Sequence, residues 1–123
     1  MIRRLFFALL LFTACHHREE ALATESWSTA KTVLTIVNHH WGDVRIYLLH
    51  DGVTERIGFV NAASNATFFL PGRYFASGAG FQLRASPMGD PTGFTSEVLI
   101  VQPNQIVTWT LETQLPRSSV LIR

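Results

Sequence analysis

From Lys31 to the C-terminus, apolar and polar residues alternate in short runs rich in Val, Ile, Thr, Phe and Trp, broken by Gly, Pro and Asn. Successive side chains of an extended chain point to opposite faces, so this period of two predicts half-buried strands. No stretch has convincing helical spacing. "KTVLTIVN" (31–38) predicts a first strand and "DVRIYLLH" (43–50) a second, with Val44, Ile46 and Leu48 on one face and Arg45 and Tyr47 on the other. Asp51-Gly52 predicts a hairpin turn, because Gly takes positive φ at little cost. "TERIGFV" (54–60) follows as a third strand with Ile57 and Phe59 on a shared face, and "NAASN" is a turn. "ATFFL" (66–70) is a fourth strand, stopped by Pro71-Gly72. "FQLRAS" (81–86) alternates with Phe81, Leu83 and Ala85 inward, and "PMGDPTG" is a loop. Phe94 to Val101 and Ile106 to Glu112 are expected to pair across "QPNQ", with Val107, Trp109 and Leu111 as an apolar stripe. "SSVLIR" fits either an edge strand or a frayed tail.

Short strands, tight turns and no helices predict an all-β fold, a two-sheet antiparallel β-sandwich of about seven strands, because each half-apolar sheet must cover its face with another. By length, residues 31–123 form one domain, large enough to bury a modest core without disulfides or metal.

The N-terminus follows a different pattern. Met1 to Arg4 is short and positive, and Leu5 to Phe12 is an unbroken apolar run. That is the layout of a secretory signal peptide. The run is about half of the roughly 20 residues a membrane-spanning helix needs, and polar residues follow at once. "LFTAC" (11–15) resembles the lipobox of bacterial lipoproteins: apolar residues, two small ones, then the chain's single cysteine, with Phe12 where leucine is more usual. The resemblance implies diacylglyceryl transfer to the Cys15 thiol, cleavage after Ala14 and acylation of the new amino group. It divides the chain into a signal peptide (1–14), a lipidated cysteine with a tether (15–30) and the sandwich (31–123). Two or three acyl chains hold firmly, where a single chain binds only marginally. The expected location is the cell membrane or outer membrane, with the domain outside the cytoplasm. His16, where such lipoproteins carry aspartate for inner-membrane retention, leans toward the outer membrane. The tether "HHREEALATESWSTA" (16–30) mixes charges, small residues and one aromatic, Trp27, and is too short for a stable isolated helix.

The stretch from Val37 to Pro71 is similar to small bacterial sandwich domains with the pattern "N…V-x-I-Y-L…G…R-I-G-x-V" followed by "F-x-L-P". That similarity implies the fold, immunoglobulin-like or transthyretin-like, and no activity. Sequence does not choose between the two topologies, because the hallmark paired cysteines are absent.

Charge excludes one class of function. Ten basic and nine acidic residues, less Arg3 and Arg4 with the signal peptide, leave the mature chain near neutrality, without the basic footprint of a nucleic-acid binder. Catalytic motifs are absent: there is no G-x-S-x-G elbow, no phosphate loop opening a helix, and the carboxylates are scattered singly. A non-enzymatic protein with no cofactor beyond the lipid on Cys15 is therefore expected. Five histidines raise a metal hypothesis, with His39, His40 and Asp43 as the candidate ligands. His50 lies more than about 20 Å along the second strand from His40 at ~3.3 Å per residue and cannot join them. The preferred reading is a structural or interaction module that meets an envelope protein or a glycan. Its candidate surface is Trp41 at one end and Arg73, Tyr74 and Phe75 at the other, Arg and Tyr being common interface anchors, although the aromatics around "PGRYFASGAG" also suit a core.

Overall fold

A computed structural model describes residues 31–75 and 78–123. The signal peptide, Cys15 and the tether expected upstream lie outside the described residues. Eight strands follow in the order β1 (Lys31–Asn38), β2 (Val44–His50), β3 (Val53–Val60), β4 (Asn65–Pro71), β5 (Gln82–Pro87), β6 (Phe94–Thr95), β7 (Ile106–Leu111) and β8 (Ser119–Ile122). Single 3₁₀ turns at Gly72–Tyr74 and Leu115–Arg117 are the helical elements among the described residues. The strands form two four-stranded sheets, β4-β1-β7-β8 and β3-β2-β5-β6. The expected all-β sandwich is the observed fold.

Alternation sets the layers. In β1, Leu34 and Ile36 are fully buried; in β2, Val44, Ile46 and Leu48; in β7, Val107, Trp109 and Leu111. Phe81, Leu83 and Ala85 complete the facing layer as predicted. Burying such a side chain contributes about 1.5–3 kcal/mol relative to leaving it in water. Asp51 and Gly52 both take positive φ, 48° and 74°, as the tight turn of a right-twisted hairpin demands.

Two expectations are corrected. The segments Phe94–Val101 and Ile106–Glu112 do not pair with each other. Phe94 and Thr95 pair with Ala85 and Arg84, Ser96 N–H donates to Leu83 O, and Phe81 bridges Leu99, so this segment follows β5. A turn closed by Gln105 N–H on Gln102 O then leads into β7, which lies parallel to β1 and antiparallel to β8. An apolar stripe says which face is buried, not which edge a strand joins. "SSVLIR" accordingly supplies an edge strand rather than a frayed tail.

The second correction concerns β3. Ile46 is opposite Gly58 but Tyr47 is opposite Arg56, so Ile57 is an extra, unpaired residue. Such a bulge shifts the alternation by one. Ile57 packs against the core while Phe59 is 53% exposed, so the two do not share a face. Beyond the bulge Glu55, not Arg56, stands opposite Leu48 on the half-buried side.

Trp109 is fully buried beside Phe94, with ring centroids 6.4 Å apart, and its indole Nε1 has no hydrogen-bond partner among the described residues. Trp109→Ala should lower stability by about 3–5 kcal/mol through the cavity it leaves. Trp109→Phe should cost clearly less, because it also removes the unpaired donor. Urea titration of the two variants checks the order.

Candidate functional site

The candidate surface residues separate to opposite ends of the sandwich. β1 starts at Lys31 and ends at Asn38, about 23 Å away at ~3.3 Å per residue. The far end is built around the buried side chain of Asn38. Its Nδ2 donates to Gly42 O (3.1 Å) and Asn61 O (3.0 Å), and its Oδ1 accepts from His40 N–H (3.0 Å). One amide thus joins the 39–43 turn to the 61–64 turn, and the links Asn38 N–H to Ser64 O and Ala63 N–H to His40 O reinforce it. Three good bonds satisfy most of what a buried amide requires.

On this base His40 is buried, and its Nδ1 accepts from Gly42 N–H at 3.0 Å, which leaves the ring proton on Nε2. Trp41 stacks on that imidazole, centroids 5.0 Å apart at 29°, and is 72% exposed. An indole exposed to this degree yet held by a buried neighbour is preorganised for contact. Beside it lies a recess of about 220 Å³ lined by His40, Asp90, Phe94, Leu115 and Pro116 among others. Hydrogen bonds from the Thr92 hydroxyl and N–H hold the Asp90 carboxyl below its usual range against the opposing effect of burial.

The three candidate metal ligands are not brought together. His39 is exposed, with Nδ1 3.3 Å from Glu112 Oε2; His40 is engaged as described; Asp43 Oδ1 accepts from Ala62 N–H at 2.8 Å. Among the described residues no group of three or more His, Cys, Asp and Glu is placed to hold a metal ion.

At the end where β1 begins, Arg73 is exposed but Tyr74 is 5% and Phe75 3% exposed. This corrects their placement on a contact patch: the 3₁₀ turn directs both rings into the core, where they close the end of the sandwich. The Tyr74 hydroxyl donates to Glu55 Oε2 and accepts from Arg73 Nη2 (2.9 Å), whose Cζ lies 4.7 Å from the centre of the Tyr74 ring. His50 meets the Tyr74 ring edge-on at 4.8 Å, with Nε2 3.8 Å from Glu55 Oε1 and Nδ1 3.4 Å from Asp51 Oδ2. The Tyr74 hydrogen bond lowers the Glu55 pKa, as do the Arg73 and His50 charges, while desolvation opposes them. Desolvation and the Glu55 bond raise that of Tyr74. Near neutral pH the pair is a carboxylate and a phenol, and their hydrogen bond clamps the 3₁₀ turn to β3.

Sequence reasoning missed Asn38 and Glu55. Asn38 carried one signal, a polar residue on the inward parity of an apolar strand. Glu55 carried none, because strict alternation puts it on one face with both Ile57 and Phe59, and the bulge that separates those two leaves no mark in the alternation.

No protein-family model matches the chain, and no curated protein does. Among solved structures it is similar to the NMR structure of a protein from Eubacterium rectale, at 15% identity over 76% of this chain and 88% of that one, with a TM-score of 0.49.

Two outcomes follow from these clusters. Asn38→Ala should destabilise the fold by about 1–3 kcal/mol, since it strands the groups that the amide paired. It should also increase acrylamide quenching of Trp41, read as the difference from Trp41→Phe. For Glu55, a folded pKa below the unfolded value means a stabilisation present above the ordinary glutamate range and lost as pH falls through the folded value. Tyr74→Phe removes the main cause of the shift, so its melting temperature should depend less on pH across that acid window than the native chain's. Thermal melts across the acid range check this.

Proposed function

We propose that the chain is a lipid-anchored protein of the bacterial cell envelope whose β-sandwich is a non-catalytic interaction or structural module. Residues 1–14 act as a signal peptide, Cys15 receives the lipid, and residues 16–30 tether a sandwich of immunoglobulin-like or transthyretin-like type outside the cytoplasm. The supports for the anchor are the positive start, the short apolar run and "LFTAC". The observation that carries the interaction reading is Trp41. A 72% exposed indole stands on a buried imidazole at the end of the domain away from the tether. Binding loses least entropy when the contacting aromatic is already fixed, and a tryptophan at the centre of a contact is a frequent anchor. A tether at the opposite end leaves that surface free to meet an envelope protein or a glycan.

In-cell crosslinking followed by mass spectrometry should find a dominant neighbour for the native chain. That neighbour should be lost in Trp41→Ala at unchanged melting temperature, and lost also in Cys15→Ala, which cannot be anchored. Persistence of the same neighbour in Trp41→Ala would remove the far end from the contact. Quenching of Trp41 fluorescence by cell-wall fragments, without a protein neighbour, would identify a glycan.

A further inference from the structure

The outward positions of the β3-β2-β5-β6 sheet form a surface that the far-end site does not use. Cross-strand pairing puts Arg56, Tyr47 and Arg84 in one row, with Thr95 beyond, and Phe59, Arg45 and Ser86 in the next. Arg45 and Arg56 are exposed, and Arg84 lies across the backbone of Gly93, where a Cβ would come within 3.1 Å of its Nε. None of the three arginines has an ion-pair partner among the described residues; Arg73 is the arginine that does. Outward positions within these strands carry no carboxylate. Just outside the strands the same outward parity continues to two exposed carboxylates, Asp43 before Val44, whose Oδ1 accepts from Ala62 N–H, and Glu97 two residues after Thr95, while Glu55 next to Arg56 is turned to the other face. The described carboxylates other than Asp43 and Glu97 are engaged elsewhere: Asp51 and Glu55 at His50 and Tyr74, Asp90 at Thr92, and Glu112 at His39.

Neighbouring strands lie about 4.8 Å apart, so the three arginines fall within roughly 10 Å of one another around Tyr47, with the exposed Phe59 alongside. A planar guanidinium pairs with phosphate through two parallel N–H bonds, and an aromatic with a polar or cationic neighbour suits the boundary between headgroups and acyl chains. A flat cationic face of this kind complements a layer of phosphates better than a small solute, because no pocket encloses it. We propose that this face docks on the phosphate groups of anionic lipids in the membrane that carries the anchor. The proposal rests on the lipidation of Cys15 proposed above, which supplies what a weak flat contact lacks. A tether of residues 16–30 spans about 20 Å root-mean-square, so the face meets the bilayer at high effective concentration. Docked in this way, the strands lie along the membrane, and Trp41 points across its surface instead of away from it.

The test uses the full lipidated chain, in which the lipid occupies the Cys15 thiol and leaves an introduced cysteine unique. A fluorophore is placed at Ser86→Cys on the arginine face or at Thr108→Cys on the outer face of the other sheet. Each protein is reconstituted in phosphatidylcholine vesicles with or without phosphatidylglycerol, together with a headgroup-nitroxide lipid as quencher. Quenching should be strong at Ser86→Cys and weak at Thr108→Cys in the anionic vesicles only. It should fall as salt rises toward about 0.5 M, where the Debye length shrinks to a few Å. Arg45→Gln with Arg56→Gln should lower the ratio of docked to undocked protein on the order of tenfold or more, with an unchanged melting temperature; the salt series reads the same contact in the native chain. Equal quenching at both positions in protein that still floats with the vesicles would overturn the docking and leave the anchor standing. Failure to float with phosphatidylcholine vesicles would overturn the anchor and the docking together. A crosslinked acidic protein lost in the arginine variant, without lipid quenching, would give the face to that partner and overturn the lipid assignment.

Discussion

The position of β1 organises the molecule. It is paired along its length on both sides, antiparallel to β4 and parallel to β7. Its inward side chains, Leu34 and Ile36, are fully buried against the second sheet. A parallel neighbour cannot come from a tight hairpin, so β7 reaches β1 only after the chain has built the other sheet and crossed back. Both ends of the domain inherit their character from this strand. It begins at Lys31, opposite Pro71 of β4, and ends in the buried amide of Asn38, which joins the turn that carries Trp41 to the 61–64 turn.

The two ends consequently do different work. At the end where β1 begins the polar groups are turned on one another: Tyr74 donates to Glu55, Arg73 covers both, and His50 packs edge-on against the phenol ring. The cluster ties the 3₁₀ turn to β2 and β3, and leaves His50 Nε2 buried without a hydrogen-bond partner among the described residues. At the far end the polar groups hold a loop instead. Asn38 and His40 direct their hydrogen bonds to backbone, and the product of that arrangement is an exposed indole with a defined orientation.

The distribution of charge separates the two sheets as well. The outer face of β4-β1-β7-β8 is largely threonine and apolar residues, with Thr67, Thr35 and Thr108 in one cross-strand row. That of β3-β2-β5-β6 gathers three arginines around Tyr47. The near-neutral composition conceals this asymmetry, because among the described residues Asp43, Asp51, Asp90, Glu97 and Glu112 lie in turns and beyond strand ends, and Glu55 faces inward. Net charge describes the chain correctly and the surface poorly.

The one-dimensional pattern determined most of the strands, though not that Phe94–Val101 keeps only the two-residue strand Phe94–Thr95, together with the Asp51-Gly52 turn and most of the core, because the parity of a strand is local: Val44, Ile46 and Leu48, or Phe81, Leu83 and Ala85, face inward whatever their neighbours are. Those features are legible in the order of residues alone. Three others were decided in the assembled fold. Strand partnering was one: Ile106–Leu111 has the same alternation whether it pairs with Phe94–Val101 or with β1. The bulge at Ile57 was another, putting Glu55 and Phe59, which strict alternation would leave on one face, on opposite faces through an extra residue that pairing with β2 alone defines. The third was the fate of the aromatic candidates. Tyr74 and Phe75, like Trp41, are aromatic residues within three positions of a glycine, yet the first two fill the space between the sheets and the last stands outside it. Burial of a loop side chain depends on the volume that distant strands leave open, and no local pattern encodes that volume.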